Sequence, residues 1–114
     1  MVYDSIVIGG GVIGSAIALR LAQAGQRVLV LERSIPGAEA SSAAAGILGP
    51  QMEGAGADPL LRLGLESREA YPAFAEELLE LSGIQVGFER SGLLLIALEG
   101  EDPAPLETRL ARQR

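Results

Sequence analysis

Three consecutive glycines, Gly9 to Gly11, interrupt an uncharged, largely apolar run that extends from Ser5 to Leu19. Glycine destabilises the interior of a helix or strand by roughly 0.5–1 kcal/mol relative to alanine. The run is not typical of a signal peptide, because only Asp4 supplies charge before it and a signal peptide begins with positive residues. It is also shorter than the ~20 apolar residues of a membrane span. The glycines therefore indicate a backbone that comes close to another group, in a chain that we expect in the cytoplasm and not in a membrane.

The period of the apolar residues changes across the glycines. Residues 3–8 are rich in β-branched side chains and predict a buried parallel strand. Residues 12–24 have helical spacing, and Gly25 is placed to end that helix in a left-handed conformation. Residues 28–31 predict a second buried strand, so the whole stretch predicts a βαβ unit. The helix face expected to meet the sheet carries Ile13, Ile17 and Leu21, with Ala16 and Ala24 beside it.

The residues from Gly9 to Gly14 match the G-x-G-x-x-G pattern of dinucleotide-binding turns. Gly9 would allow the tight turn out of the strand, Gly11 would let a pyrophosphate approach the backbone, and Gly14 would let the helix pack closely. The phosphates would lie at the N-terminus of the helix, where free N–H groups and the macrodipole favour negative charge.

Glu32 follows the second strand, eighteen residues after Gly14. A carboxylate at that point can accept hydrogen bonds from the hydroxyls of an adenosine ribose, and it would repel the 2′-phosphate of NADP. An ordinary glycine-rich turn would account for Gly9 but not for Glu32. The βαβ unit alone does not distinguish NAD from FAD.

The composition restricts the chemistry that the chain can perform by itself. It contains no Cys, His or Lys, so thiolate metal sites, the usual general base and a Schiff-base amine are all missing. No metal site is predicted. The net charge of −6 argues against nucleic acid as a partner. A cofactor would have to supply most of the chemistry.

A long loop of small residues follows the second strand, from Arg33 to Pro50. It contains an Ala-rich segment in which Ser41 or Ser42 could serve as an N-cap. Small side chains in such a run suggest that a flat group lies against the backbone, which favours FAD over NAD. An ordinary capped helical turn is the alternative that these residues leave open.

The sequence resembles the amino-terminal part of the glycine oxidases, within the D-amino-acid oxidase family of FAD enzymes. The resemblance is carried by VIGGGVIGSAIALRLAQAGQRVLVLER and ASSAAAGILGP, and it continues at residues 79–83 and 90–94. The SSAAAG element is the more specific part, because many flavin and nicotinamide enzymes share the glycine fingerprint.

The resemblance also implies positions for the cofactor. Val12 and Ile13 would contact the pyrophosphate, and Glu32 and Arg33 would lie at the adenosine ribose, although Arg33 is equally consistent with a solvated loop charge. Ala40 stands where a hydroxyl residue is usual, so a side-chain bond is lost there. Ala40 and Ser41 would lie at the phosphates, and Ala45, Gly46 and Ile47 beside the flavin ring. The candidate cofactor-binding residues are Gly9, Gly11, Val12, Ile13, Gly14, Glu32, Arg33, Ala40, Ser41, Ser42, Ala45, Gly46 and Ile47.

For function, the resemblance implies oxidation of glycine or another small amino acid or amine. A hydride would pass from the substrate α-carbon to flavin N5, and oxygen would then reoxidise the flavin with release of hydrogen peroxide. The imine product would feed thiazole synthesis for thiamine. An NAD-dependent dehydrogenase fragment and a non-catalytic dinucleotide-binding remnant are the alternatives.

The second half of the chain predicts helices and a hairpin. Residues 49–59 are rich in glycine and proline and predict a loop. Asp58-Pro59 is a helix-start signal for residues 60–82, although Pro72 should end or kink that helix near Tyr71. Two strands, 86–89 and 93–98, are expected to form an antiparallel hairpin, and a last helix is expected over 106–114.

We therefore expect an α/β fold that begins as a Rossmann-like, doubly wound parallel sheet. Such a sheet has five or six strands, of which two are visible, so the chain should represent about the first third of an oxidase and be inactive alone. No catalytic residue is assigned, and the sequence leaves open whether the full-length form is a homo-oligomer. The expected segments are 1–58 for FAD binding, 59–83 helical, 84–98 the hairpin that starts a substrate domain, and 99–114 the start of a helix.

Overall fold

The computed structural model describes residues 2–53, 58–98 and 101–113. The chain forms two compact units, Met1–Ile47 and Leu48–Arg114. The first unit contains β1 (Ser5–Ile8), α1 (Val12–Gln23), β2 (Val28–Leu31) and the single turn α2 (Ala40–Ala43). The second unit contains α3 (Pro50–Glu53), α4 (Pro59–Ser82) and α5 (Ala104–Gln113).

The first unit begins with the predicted βαβ arrangement. β1 and β2 pair in parallel, with Ser5 opposite Val28 and Ile8 opposite Leu31. Parallel strands need a crossover, and α1 provides it. The N–H of Gly9 donates to the carbonyl oxygen of Leu31 at 2.8 Å, which extends the pairing one residue beyond β1. The predicted α/β fold class is confirmed.

The turn between β1 and α1 depends on two glycines. Gly9 has a φ of +103°, which side chains with a Cβ rarely adopt, so the chain reverses immediately after the strand. A Cβ on Gly14 would overlap the carbonyl oxygen of Gly9 and would lie 3.3 Å from Val7 Cγ1. The first turn of α1 therefore lies directly on the glycine turn, as expected from the fingerprint.

The face that α1 turns inward differs from the predicted one. Leu21 and Ala16 are half-buried as predicted, together with Gly14 and Ala18, whereas Ile13 and Ile17 are 73% and 49% exposed. The close approach at Gly14 explains the difference, because it fixes the rotation of the helix about its axis. Residues three, four and seven positions apart share one helical face, so Ala18 and Leu21 follow Gly14 and only part of the predicted face is correct.

Much apolar surface stays accessible in this unit. Ile8 at the end of β1 is 86% exposed, and within the described ranges no apolar side chain is fully enclosed. A two-stranded sheet with one helix against it has a second face and two edges that neither element covers.

In the second unit, α4 begins as its sequence predicts. The side chain of Asp58 accepts the N–H of Leu60 at 2.9 Å, and Pro59 occupies the first helical turn. The helix ends at Gly83, which has a φ of +71°.

Of the two effects predicted for Pro72, an end of α4 near Tyr71 is wrong, since the helix continues to Ser82, and a kink stays a prediction. A proline removes one backbone hydrogen bond and strains the preceding turn. Contacts across the proline offset part of this cost. Tyr71 lies edge-on to Phe74, with 6.1 Å between ring centroids, and its ring is 5.5 Å from that of Phe88.

The segment predicted as a loop over residues 49–59 contains the short helix α3. Its turn is closed by the N–H of Met52, which donates to Gly49 at 2.9 Å. Packing on α4 holds it, because a Cβ on Gly64 would lie only 2.7 Å from Pro50 Cβ. Arg109 of α5 donates to the Met52 carbonyl at 2.9 Å. Residues 54–57 of the predicted loop lie outside the described residues.

The antiparallel hairpin predicted over residues 84–98 is wrong. The structure gives this segment no strand, and its side chains are exposed apart from half-buried Phe88. A two-stranded hairpin is marginal without a third strand or a helix against its apolar face, and local β-propensity did not overcome that.

The contact at Gly14 predicts a loss of stability in the Gly14→Ala variant. The added methyl group meets backbone, which cannot rotate away, so we expect the free energy of unfolding to fall by about 1–3 kcal/mol, the range for overpacking. Urea unfolding of the 114-residue chain measures it. Ala22→Gln, at an exposed position near the C-terminal end of α1, is the control and should change stability by less than about 0.5 kcal/mol. An unchanged Gly14→Ala would contradict the close packing.

Candidate dinucleotide-binding site

The predicted binding elements meet at the N-terminal end of α1. Gly11 is the N-cap residue, and no side chain of its own caps the helix. The first N–H groups of a helix have no partner within it and attract anions. The first turn of α1 also carries no acidic residue that would repel a phosphate.

Glu32 lies directly after β2 and reaches across to the glycine turn. Its Oε2 accepts the N–H of Gly10 at 2.7 Å, and its Oε1 accepts the N–H of Ser34 at 3.0 Å. A carboxylate has about four acceptor positions, so two remain for other donors such as ribose hydroxyls. The predicted position of Glu32 at the tip of the second strand is confirmed.

The hydrogen bonds to Glu32 stabilise its charged form. The bond from Gly10 has the largest effect and lowers the pKa of the Glu32 carboxyl below its ordinary value, and the bond from Ser34 and the nearby charge of Arg33 act in the same direction. Burial opposes them to a smaller extent than the Gly10 bond. The carboxylate is therefore ionised at neutral pH and acts as an acceptor for N–H and O–H groups.

Ser41 meets the same end of α1 from α2. Its Oγ accepts the N–H of Val12 at 2.9 Å, so a hydroxyl 29 residues away in sequence satisfies one of the free N–H groups of α1. The hydroxyl hydrogen of Ser41 can still be donated, for example to a phosphate oxygen.

The prediction that Ser41 or Ser42 caps α2 is wrong. The N-cap of α2 is Glu39, without a side-chain hydrogen bond. Ser42 lies inside the turn, and its hydroxyl is within 2.8 Å of the carbonyl oxygens of Ala38 and Glu39. Serine hydroxyls often bond back to carbonyls in this way. The two adjacent serines therefore differ, because Ser41 accepts a hydrogen bond from α1 whereas Ser42 donates to carbonyl groups of its own turn.

Gly11 has an ordinary backbone conformation, with a φ of −73°. Its lack of a side chain matters because of its surroundings, since an added Cβ would lie 2.9 Å from the Oγ of Ser41. A branched side chain at this position would fill the space over the N-terminus of α1, where the pyrophosphate is predicted.

Sequence reasoning missed Gly10 and Gly37. Gly10 is the one fully buried residue in the part of the chain that the structure describes, and a Cβ there would lie 3.2 Å from Glu32 Cβ. Its carbonyl oxygen accepts the N–H of Gly37 at 3.0 Å. The fingerprint leaves the second position open, so only the run of three glycines signalled this contact.

Among the other predicted cofactor residues, Arg33 lies next to Glu32 in the chain, but its side chain bonds to a different carboxylate. Arg33 pairs with Glu39, with 2.6 Å between Nη2 and Oε2, and both side chains are exposed. Residues 45–47 follow α2 without regular structure, and they are exposed. Their roles beside the ribose and the flavin ring stay predictions.

The described residues contain no group of three or more carboxylates that could hold a metal ion. Within the same ranges, none of the helices is both long and apolar enough to cross a membrane.

The two serines predict a matched pair of variants. Ser41→Ala leaves the Val12 N–H to water and should reduce the free energy of unfolding by about 0.5–2 kcal/mol, as for other lost helix caps. Ser42→Ala removes a hydroxyl from the same turn without touching α1, and should leave the Val12 amide unchanged. Amide hydrogen exchange at Val12 distinguishes the variants, and equal protection in both would contradict the assignment.

The lowered pKa of Glu32 predicts a pH dependence. A group whose pKa falls on folding stabilises the protein fully above its unfolded pKa, about 4.3 for glutamate, and the stabilisation is lost as the pH falls through the lower folded value. The difference in unfolding free energy between the wild type and Glu32→Gln should therefore be constant near neutral pH and shrink below about pH 4.3. Urea unfolding across a pH series measures it, with Glu39→Gln as the control for loss of a charge. A difference that grows on acidification would show the opposite sign of shift.

Known proteins resemble this chain in sequence. The DAO family model, described as FAD dependent oxidoreductase, matches residues 4–114. The chain is 47% identical over 100 residues to the glycine oxidase of Geobacillus kaustophilus, a match that covers 88% of this chain and 26% of that protein. It is 40% identical over 102 residues to the bifunctional protein ThiO/ThiG of Trichormus variabilis, covering 90% of this chain and 16% of that protein.

A solved structure is also similar to this chain. The crystal structure of glycine oxidase from Geobacillus kaustophilus matches with a TM-score of 0.70 and 50% identity, over 75% of this chain and 23% of that chain. The chain thus spans about a quarter of the length of the glycine oxidase that it matches. It belongs to the DAO family of FAD-dependent oxidoreductases, whose dinucleotide is FAD and not NAD.

Proposed function

We propose that this chain forms the pyrophosphate- and ribose-binding part of an FAD-dependent oxidase for glycine or another small amino acid or amine, with oxygen as the acceptor. The observation that carries the proposal is the meeting of the glycine turn, Glu32 and Ser41 at the N-terminus of α1. Similarity to glycine oxidases supports the substrate class.

Each group at this end of α1 has a distinct task in the proposal. The N-terminus of α1 attracts the pyrophosphate, and Gly11 leaves space for it to reach the backbone. Ser41 keeps the Val12 N–H bonded while donating its own hydroxyl hydrogen to a phosphate oxygen. Glu32 accepts hydrogen bonds from the ribose hydroxyls with the acceptor positions that Gly10 and Ser34 leave free.

When bound, FAD would supply the acceptor for a hydride from the substrate α-carbon, which none of the side-chain types in this chain can supply. Similarity to the bifunctional ThiO/ThiG proteins supports placing the reaction in thiazole formation for thiamine. Residues 45–47 are proposed to lie beside the flavin ring. Location in the cytoplasm and homo-oligomeric assembly of the complete oxidase stay predictions.

A chimera tests this function. The segment of the Geobacillus kaustophilus glycine oxidase that this chain matches is replaced by the corresponding residues of this chain. We expect the purified chimera to contain FAD and to release hydrogen peroxide from glycine, because the replaced segment keeps the groups that hold the dinucleotide. Absorbance of bound flavin and a peroxide assay measure the two properties.

The Gly11→Val chimera should lose FAD, because the branched side chain fills the space of the pyrophosphate. Ala22→Val, on the exposed C-terminal part of α1, is the matched control and should keep it. Flavin at wild-type occupancy in Gly11→Val would contradict the binding mode. A chimera that holds FAD but oxidises neither glycine, sarcosine nor D-alanine would contradict the oxidase function and leave a dinucleotide-binding role.

A further inference from the structure

We propose that Glu32 is a positioning residue of the glycine turn, which it holds through Gly10 in the conformation that receives the pyrophosphate, before any cofactor is present. The proposal rests on the FAD-binding role proposed above, and it adds to the ribose contact a second task for the same carboxylate.

The hydrogen bond between Glu32 and Gly10 is short, and the Glu32 side chain packs closely against Gly10. Its donor–acceptor distance of 2.7 Å is that of a charge-assisted hydrogen bond. Gly10 is buried, and a side chain there would meet Glu32 Cβ at 3.2 Å and its Oε2 at 3.3 Å. The close approach of the Glu32 side chain therefore favours a glycine at this position, whereas its own φ, which is not positive, does not.

Gly10 is also held on its other side. Its carbonyl oxygen accepts the N–H of Gly37 at 3.0 Å, and the second oxygen of Glu32 accepts the N–H of Ser34 at 3.0 Å. Both polar backbone groups of Gly10 are thus bonded to the segment that follows β2. Residues 32–37 fix the turn, and Glu32 supplies the charged contact.

Fixing Gly10 orients the backbone that follows it. Gly10 precedes Gly11, the N-cap of α1, and Val12, whose N–H lies at the predicted phosphate position. A turn that is already ordered does not have to lose conformational entropy when the ligand binds. Glu32 would therefore raise the affinity for the pyrophosphate as well as for the ribose.

Glutamine at position 32 separates the two tasks. A glutamine side chain has one acceptor oxygen and one NH₂ donor, whereas Glu32 accepts backbone N–H groups with both oxygens. Glu32→Gln therefore leaves Gly10 or Ser34 without an acceptor. A ribose hydroxyl both donates and accepts, so a contact to ribose alone would tolerate the amide.

The first measurement uses the 114-residue chain without FAD. We expect the Gly10 amide proton to have a downfield NMR shift and slow exchange, and to approach the values of an unfolded glycine in Glu32→Ala, which leaves no acceptor at position 32. Glu39→Ala is the matched control, because it removes a carboxylate from the same loop whose partner is Arg33, and it should leave Gly10 unchanged. A Gly10 amide with the shift and exchange rate of an unfolded glycine in the wild type, or with the same values in Glu32→Ala as in the wild type, would overturn the proposal.

The second measurement is a double-mutant cycle on FAD affinity with Gly10→Ala and Glu32→Gln. Each variant should weaken binding about tenfold. Glu32→Gln removes a hydrogen bond to a charged group, and Gly10→Ala keeps its N–H but adds a Cβ that would displace the Glu32 carboxylate. If Glu32 acts through Gly10, the double variant should be little weaker than either single variant. Losses that multiply would show independent roles and overturn the proposal. Failure of the wild-type chain to bind FAD would count against the proposed function alone, because the Gly10 amide is measured without the cofactor.

Discussion

The hydrogen bond from the Gly10 N–H to the Glu32 carboxylate joins the ends of both strands of the βαβ unit. Gly10 lies between β1 and α1, and Glu32 lies directly after β2, so one 2.7 Å contact closes the unit at the edge where the ligand is predicted. The other close contacts depend on the same geometry. Gly9 reverses the chain, Gly14 lets α1 lie on the turn, and the loop after β2 returns to Gly10 through Gly37.

The site consists mainly of backbone N–H groups, small side chains and one carboxylate. That composition agrees with a chain that has no Cys, His or Lys, because binding a pyrophosphate at a helix N-terminus requires backbone donors more than reactive side chains. In the proposed function this arrangement would bind and orient FAD, and the redox chemistry would belong to the cofactor. Membership of an FAD-dependent family fits this division of tasks.

Local signals predicted the features that local chemistry determines. The bounds of β2, the left-handed Gly25 after α1 and the Asp58 cap of α4 each depend on a few adjacent residues, and each was predicted correctly. The position of Glu32 was predictable as well. Because Ile8 and Leu31 are paired at the ends of the two parallel strands, the residue after β2 lies beside the glycine turn that follows β1.

Features that depend on distant contacts were missed. The hydrogen bond from Val12 to Ser41 was not predicted, although the family resemblance placed both residues at the pyrophosphate. It changed the expected role of Ser41 in helix capping from α2 to α1. The contact between Gly14 and Gly9 sets the rotation of α1 about its axis, and the spacing of hydrophobic residues cannot predict such a contact between glycines. The hairpin over residues 84–98 failed for a related reason, since strand propensity does not provide the neighbouring surface that a strand needs.

The central claim is that the binding energy for the flavin comes from the pyrophosphate and the adenosine ribose, at the turn and at Glu32. The direct measurement is a titration of the 114-residue chain with FAD and with FMN, which lacks the second phosphate and the adenosine. The account predicts that FAD binds and that FMN binds far more weakly or not at all. Equal affinity for the two flavins, or no binding of FAD, would contradict it.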